Sequence, residues 1–365
     1  MNIKLLEKLC LTAGVPGREY RITELIKREI KGLFDSVTVD PLGSIIAVKK
    51  PSASSKVGKK STKKRSTSRK APKKVMLAAH MDQIGFLVTH IDDKGFIHVN
   101  PVGGFDTRNL FARAVTICPD LKDPKKDITG IMNPSGRPVH IAPPEERKRI
   151  PEVRDFIIDT GMDKKQVEKK VKLGDMVVIN APCYQLGDYM VSQAMDNRIA
   201  CWVAIEAMKK LKDKKHDCEI HCVFTVQEEV GLRGAIASAH TIQPDIGIGI
   251  DITLACDTPG VPAIDNVTKL GDGASIVVMD SSIISDHGMV EDFDKLAKKH
   301  KIKAQRAIMA RGGTDTGGIQ RTAGGCKAMT LGVPGRYIHT VTEMCHKDDL
   351  AACRDLLARY LENVK

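Results

Sequence analysis

The second half of the chain alternates short apolar runs with amphipathic stretches, and this alternation narrows the fold more than any other feature. Residues 219–226, 246–250 and 274–279 are nearly continuous in apolar side chains. Helix-period segments stand around them: Ile199, Trp202, Val203, Ala207 and Leu211 on one face, then 231–240, 289–300 and 348–364. Strands that are apolar on both faces must be covered on both. The pattern therefore predicts an α/β fold, a mostly parallel central sheet with helices on both faces.

The first half has a different organisation. Leu5, Leu6, Leu9 and Cys10 make one helical face; Ile22, Leu25, Ile26, Ile30 and Leu33 make another. Residues 37–39 and 44–48 read as strands joined by the turn Asp40-Pro41-Leu42-Gly43, and 74–79 as a third strand. From 86 to 178 the pattern is strands and turns, interrupted by one charged stretch, 163–172, expected to be a short helix. This predicts a small β domain, 85–178, inserted between two parts of a larger domain, 1–84 and 179–365.

A net charge of +12 suggests nucleic acid until it is located. Twelve Lys or Arg and no acid fall between Lys49 and Lys74, and the rest of the chain holds 45 basic against 45 acidic residues. Segment 51–72, built mostly of Ser, Thr, Lys and Arg, is expected to be a disordered basic loop. It reads either as a solubilising insertion or as a weak tether to polyanion such as nucleic acid; without aromatics it offers no base stacking, so any such binding is expected to lack sequence preference. No apolar run reaches the ~18 residues of a membrane span, so no membrane partner is expected. The ten cysteines form no regular framework. They read as free thiols of a reducing compartment, the cytoplasm.

Acids and histidines gather where strands end. His80-Met81-Asp82 follows 74–79, Glu228-Glu229 follows 222–227, Asp251 follows 246–250, His339 follows Tyr337-Ile338, and Asp196-Asn197-Arg198 opens a helical stretch. Sites in open α/β sheets collect at the carboxyl ends of strands, and buried acids need partners. His80 and Asp82, two apart in extended chain, share a side, so His80 can ligate a metal while Asp82 orients it; a polar turn is the plainer reading. Glu228 and Glu229 point to opposite sides, which suits one ligand and one base, although a helix start would also carry such a pair. Asp196 alone reads as an N-cap and His339 alone as a structural histidine. Together the residues offer two His, two Asp and one Glu as ligands, with one Glu and one Asp over. Such a set suits two divalent ions about 3.5–4 Å apart that activate a water. Two dications against three ligand carboxylates leave +1, which favours hydroxide near neutral pH.

These motifs resemble those of the tetrahedral, or glutamyl/deblocking, aminopeptidases, a family of co-catalytic two-metal metallopeptidases. The resemblance is carried by His80-Met81-Asp82-Gln83-Ile84-Gly85, Ala194-Met195-Asp196-Asn197-Arg198, Glu228-Glu229-Val230-Gly231-Leu232-Arg233-Gly234, Gly249-Ile250-Asp251, Arg311-Gly312-Gly313-Thr314-Asp315 and Tyr337-Ile338-His339-Thr340. They stand in the family's order across nearly the whole chain; segment 51–72 is the departure. The resemblance implies that Asp196 bridges two metals, that His80 and Asp251 complete one site, and that Glu229 and His339 complete the other. It implies Glu228 as general base and Asp82 as the partner of His80. The ions would be zinc, with cobalt or manganese as alternatives. The implied activity is removal of N-terminal residues from peptides by a two-metal-activated hydroxide. The β domain would make subunit contacts in a homo-oligomer, a tetrahedral dodecamer.

Other readings stand lower. A related metal-dependent deacylase or carboxypeptidase would show the same spacing. A polyanion-binding protein with an inactive peptidase body should have lost ligands, and none of the five is missing. A glycosidase needs two carboxyls facing each other across a bond, which adjacent Glu228 and Glu229 cannot do. His216, Cys218, His221 and Cys222 could suggest structural zinc, but in a strand His221 and Cys222 face opposite ways.

Overall fold

The computed structural model describes residues 1–52 and 71–364; of the basic segment 51–72, with its expected disorder and polyanion binding, 53–70 lie outside the described residues. Two amphipathic helices open the chain. In α1 (Ile3–Leu11) the Asn2 side chain accepts the Leu5 N–H at 3.2 Å, and Leu5, Leu6, Leu9 and Cys10 are buried. α2 (Tyr20–Glu29) buries Ile22, Leu25 and Ile26. The strands β1 (Ser36–Val39) and β2 (Ile45–Lys49) then form the expected hairpin, Val39 opposite Ile45. Asp40 fixes its turn, accepting the N–H groups of Leu42, Gly43 and Ser44 at 2.8–2.9 Å.

β3 (Lys74–His80) leads into the inserted unit. Its strands are β4 (Gly85–Ile91), β5 (Ile97–Val102), β6 (Arg113–Cys118), β7 (Ile128–Pro134), β8 (Phe156–Asp159) and β9 (Met176–Ile179). They close into a barrel in the order β4-β5-β8-β7-β6-β9 around Phe86, Val115, Ile117, Met132, Phe156 and Ile158. Two short helices interrupt it. α3 (Pro144–Lys148) was not legible in the sequence, and α4 (Lys164–Glu168) starts the charged stretch behind an Asp163/Gln166 capping box. Arg21 ties α2 to the barrel: its guanidinium is bidentate to Asp127, both contacts at 2.7 Å, and donates to the Leu121 and Asp120 carbonyls.

The second half runs β10 (Tyr184–Leu186), β11 (Tyr189–Ser192), α5 (Met195–Leu211), β12 (Glu219–Thr225), α6 (Arg233–Ile242), β13 (Ile246–Leu254), β14 (Ala274–Met279) and α7 (His287–His300). It ends with β15 (Ala304–Ile308), α8 (Asp315–Arg321), β16 (Lys327–Arg336), β17 (Glu343–His346) and α9 (Lys347–Asn363). Eleven strands among the described residues make one sheet, ordered β1-β2-β12-β3-β13-β16-β17-β11-β10, with β14 on β16 and β15 on β14. The central β12-β3-β13-β16 is parallel, as the apolar runs predicted; its flanks are antiparallel. Successive β3 residues serve opposite faces: Val75, Leu77 and Ala79 pack with α1, α5 and α9, whereas Met76 and Ala78 pack with α6 and α8. Among the described residues no helix is long and apolar enough to cross a membrane.

β13 departs from the sequence reading in a way that matters for the site. It continues through Asp251 to Leu254, so Asp251 lies inside a strand and not at its end. β16 pairs with β13 from Ile246 to Leu254, but β3 pairs with it only from Ile246 to Gly249. Past Gly249 that edge of β13 is free of β3.

The close approach of α8 to β13 depends on Gly249, where a Cβ would fall 2.0 Å from Thr316 Oγ1 and 3.1 Å from the Thr316 nitrogen. Overpacking of this kind costs about 1–3 kcal/mol. Gly249→Ala should therefore lower the thermal unfolding midpoint by at least about 2 °C. Gly324→Ala, at a position with nothing within 4 Å of the added carbon, should leave it within about 1 °C. Equal midpoints for the two variants would refute the packing argument.

Candidate metal centre

The sheet brings the five sequence positions to one place. His80 is the last residue of β3 and stands opposite Thr225, the last of β12. Glu228 and Glu229 lie on the turn after β12, and His339 lies between β16 and β17. Asp196 is in the first turn of α5 with non-helical dihedrals, and the N-cap position is Ala194, so the capping role open to Asp196 is not used. One Asp196 oxygen is 3.1 Å from His80 Nε2 and the other 3.4 Å from His339 Nε2. His80 Nε2 is also 3.8 Å from Glu228 Oε2 and 3.9 Å from Asp251 Oδ1, and His339 Nε2 is 3.5 Å from Glu229 Oε2.

Asp82 is fully buried and does more than face His80, whose Nδ1 lies 3.6 Å from its Oδ1. Its two oxygens accept the backbone N–H groups of Glu228 and Glu229, each at 3.1 Å. One carboxylate therefore fixes the turn that carries both glutamates.

Other supporting residues were not identified from the sequence. Glu343 accepts the Asp196 N–H at 3.0 Å and the His339 N–H at 2.7 Å, holding two cluster residues from behind. The available signal was an acid four residues after His339. Asn197 Nδ2 donates to the Ile250 carbonyl at 2.9 Å, tying the start of α5 to the residue before Asp251. Asp315, at the start of the unexpected helix α8, accepts a hydrogen bond from Thr225 Oγ1. The barrel also reaches the site: a Cβ on Gly104 would lie 3.6 Å from His339 Nδ1, and one on Gly103 3.3 Å from Glu229 Oε2.

The electrostatics of the cluster favour a bound cation. Burial, opposed by His80 and reinforced by Asp251 and Asp315, lifts Glu228 well above the ordinary carboxylate range. Asp251 is raised by burial and by Asp196 against the pull of His80. His339 is pushed up to about 11, because the carboxylates of Asp196 and Glu229 outweigh its burial. With all four carboxyls ionised, Asp196, Glu228, Glu229 and Asp251 would outnumber even two protonated imidazoles. Uncompensated buried charge is costly, and a divalent ion supplies the compensation in a small volume. Glu229 Oε1 is buried without a hydrogen-bond partner among the described residues, so a donor atom is free for it. The residues fit such ions: ligand atoms of His80, Asp196 and Asp251 lie within 4.8 Å of one another, and so do those of Asp196, Glu229 and His339. His80, Glu228 and Glu229 form a third such group.

The chain is similar to known proteins over nearly its whole length. Residues 60–356 match the family model described as M42 glutamyl aminopeptidase. A provisionally named aminopeptidase of Acetivibrio thermocellus is 37% identical over 347 residues, 95% of this chain and 94% of that one. The structure of aminopeptidase APDkam598 from the archaeon Desulfurococcus kamchatkensis superimposes with a TM-score of 0.88 at 32% identity, covering 99% of this chain and 94% of that one. The Pyrococcus horikoshii TET1 peptidase, described as able to assemble into a tetrahedron or a large octahedral shell, superimposes with a TM-score of 0.84 at 29% identity over 98% of each chain.

Ions that bind only the folded chain stabilise it, by about 2.7 kcal/mol at a free concentration 100 times Kd. Zinc added to chelator-treated protein should raise the thermal midpoint and release protons, with apparent affinity rising as pH rises, because imidazoles must be deprotonated to ligate. Glu229→Gln should weaken the effect. A midpoint indifferent to zinc, cobalt and manganese alike would exclude this cluster as a metal centre.

Proposed function

The chain belongs to the M42 glutamyl aminopeptidase family, and on that premise we propose that it is a metal-dependent aminopeptidase removing residues singly from the free N-terminus of peptides. The reading rests chiefly on the two ligand triads that share Asp196, with Glu228 beside them at 3.8 Å from His80. Two divalent ions would be held by His80 and Asp251 on one side and Glu229 and His339 on the other, with Asp196 serving both groups. Mixed imidazole and carboxylate donors suit zinc, with cobalt or manganese as alternatives. When bound, such ions polarise the scissile carbonyl and acidify the attacking water.

The remaining work falls to the chain's own residues. Glu228 takes the proton from the attacking water and returns it to the leaving amine. Asp82 orients His80 and fixes the backbone of Glu228 and Glu229. Glu343 keeps Asp196 and His339 in register. Gly103 lets the barrel close against Ile84 and Glu229, where a Cβ would crowd both. Residues 1–84 and 179–365 make the catalytic domain. All ten cysteines are free, in keeping with a cytoplasmic setting.

Glu228→Gln should keep its metals and its fold but lose about 10²–10⁴-fold in kcat, since an amide cannot accept the proton. The same assay, run on free and N-acetylated peptides with wild-type enzyme, should show cleavage of the free form alone. Equal cleavage of both would point to an endopeptidase or a deacylase, and a Glu228→Gln enzyme at wild-type rate would unseat the base.

The inserted domain, 85–178, serves subunit contacts in this reading. It leaves the apolar side chains of Phe111, Ile131, Val139, Ile141 and Ile150 exposed on the isolated chain, available for such contacts. Assembly into a closed shell, as the TET1 peptidase can form, would admit peptides and exclude folded proteins. Sedimentation should show a large homo-oligomer, a dodecamer; monomer alone at micromolar concentration would refute it.

A further inference from the structure

The turn that bears Glu228 and Glu229 depends on outside partners for the amides at its start. Gln227 has φ +55, Gly231 φ +124 and Leu232 φ +57, so two of the six residues 227–232 hold a left-handed conformation without being glycine. Such residues persist only where their surroundings hold them. Within the turn, the carbonyls are used: Glu228 O accepts from Gly231 and Leu232, Gln227 O from Arg233, and Val226 O from Gly234. The amides of 227, 228 and 229 are held instead by carboxylates from outside it. Asp82 takes those of Glu228 and Glu229. The third, Gln227 N–H, goes to Glu19 Oε1 at 3.2 Å.

Glu19 comes from the far end of the chain, 208 positions away, and is 6% exposed. The same Oε1 accepts the Gly17 N–H at 2.8 Å, which fixes the carboxyl to its own segment. That segment is itself pinned to the site. Gly14 O accepts the Gln83 N–H at 3.0 Å, next to Asp82. Arg198, two residues beyond Asp196 and fully buried, donates to Leu9 O, Thr12 O and Gly14 O and to Gln83 Oε1. Residues 9–19 thus form a strap under all three motif turns, and Glu19 is its contact with the one that carries the base.

We propose that Glu19 is a positioning residue: its Oε1 anchors the Gln227 amide and, with Asp82, sets where Glu228 points. This rests on the role given to Glu228 above. What the position requires is an acceptor oxygen at that distance rather than a charge.

Three variants separate the requirements. Glu19→Gln keeps an oxygen in place. Glu19→Asp keeps the charge but withdraws the oxygen by one methylene. Glu19→Ala removes both. Misplacement of a reacting group by about 1 Å can cost about 10²-fold. Glu19→Ala and Glu19→Asp should therefore lose about tenfold to a hundredfold in kcat, with KM within about threefold of wild type and metal content unchanged. Glu19→Gln should recover most of the rate. Amide hydrogen exchange in the peptide spanning 226–232 should be at least about fivefold faster in the Ala and Asp variants than in wild type, the loss of one hydrogen bond's protection. Unchanged exchange, an unchanged kcat in Glu19→Ala or Glu19→Asp, or a Gln variant as slow as Ala would each overturn the proposal. If Glu19→Ala does not fold, the Asp and Gln variants decide it. The exchange measurement is independent of the reaction. A wild-type chain that cleaves no peptide would overturn the proposed function, while exchange would still decide whether Glu19 anchors the turn.

Discussion

Asp196 holds an imidazole with each of its oxygens, His80 at 3.1 Å and His339 at 3.4 Å, and around that pair three more carboxylates approach the same small volume. Like charges at such distances repel strongly where water is scarce. The scaffold must therefore hold them in place against their own electrostatics. It does so mainly with backbone amides. Asp82 takes two, Glu343 takes two and Glu19 takes two. Carboxylates that accept amides behind the cluster orient the turns whose side chains face into it.

This arrangement explains the sheet topology. A parallel centre places the ends of β3 and β12 side by side, His80 against Thr225. The pairing of β3 with β13 stops at Ala78 and Gly249, which opens an edge where Asp251 can face the cluster although its strand continues. β17 begins with Glu343, so the strand start itself holds Asp196 and His339. The barrel is part of the same unit: Arg21 clamps it to α2, and its Gly103–Gly104 turn lies against Glu229 and His339. The barrel can in this way shape access to the site.

The sequence reading and the structure part company at identifiable places. The apolar runs, the hairpin at Asp40, the long helices and the barrel's strand-and-turn character were legible, because each has a local period or turn chemistry of its own. β16 was not read as a strand, since Gly332, Pro334 and Gly335 interrupt its pattern; it is held by β13 on one side and β14 on the other. α8 begins within Thr314-Asp315-Thr316-Gly317-Gly318, a composition that argues for a turn, and it is helical because it packs against β13 and α6.

By itself the sequence determined which residues could carry the chemistry. His80, Asp82, Glu228, Glu229 and His339 announce themselves as acids and histidines placed after strands, and charge counting ties them to a cation. It also determined the α/β alternation and the inserted β unit. Only the tertiary structure decided which imidazole meets which carboxylate and what holds them there. Glu343 reaches Asp196 across 147 positions, Glu19 reaches Gln227 across 208, and Arg198 reaches Leu9 across 189. No local period encodes such pairs. A buried carboxylate that holds a distant amide and a surface carboxylate look alike in one sequence, and they differ only once burial has removed the water that would otherwise have served both.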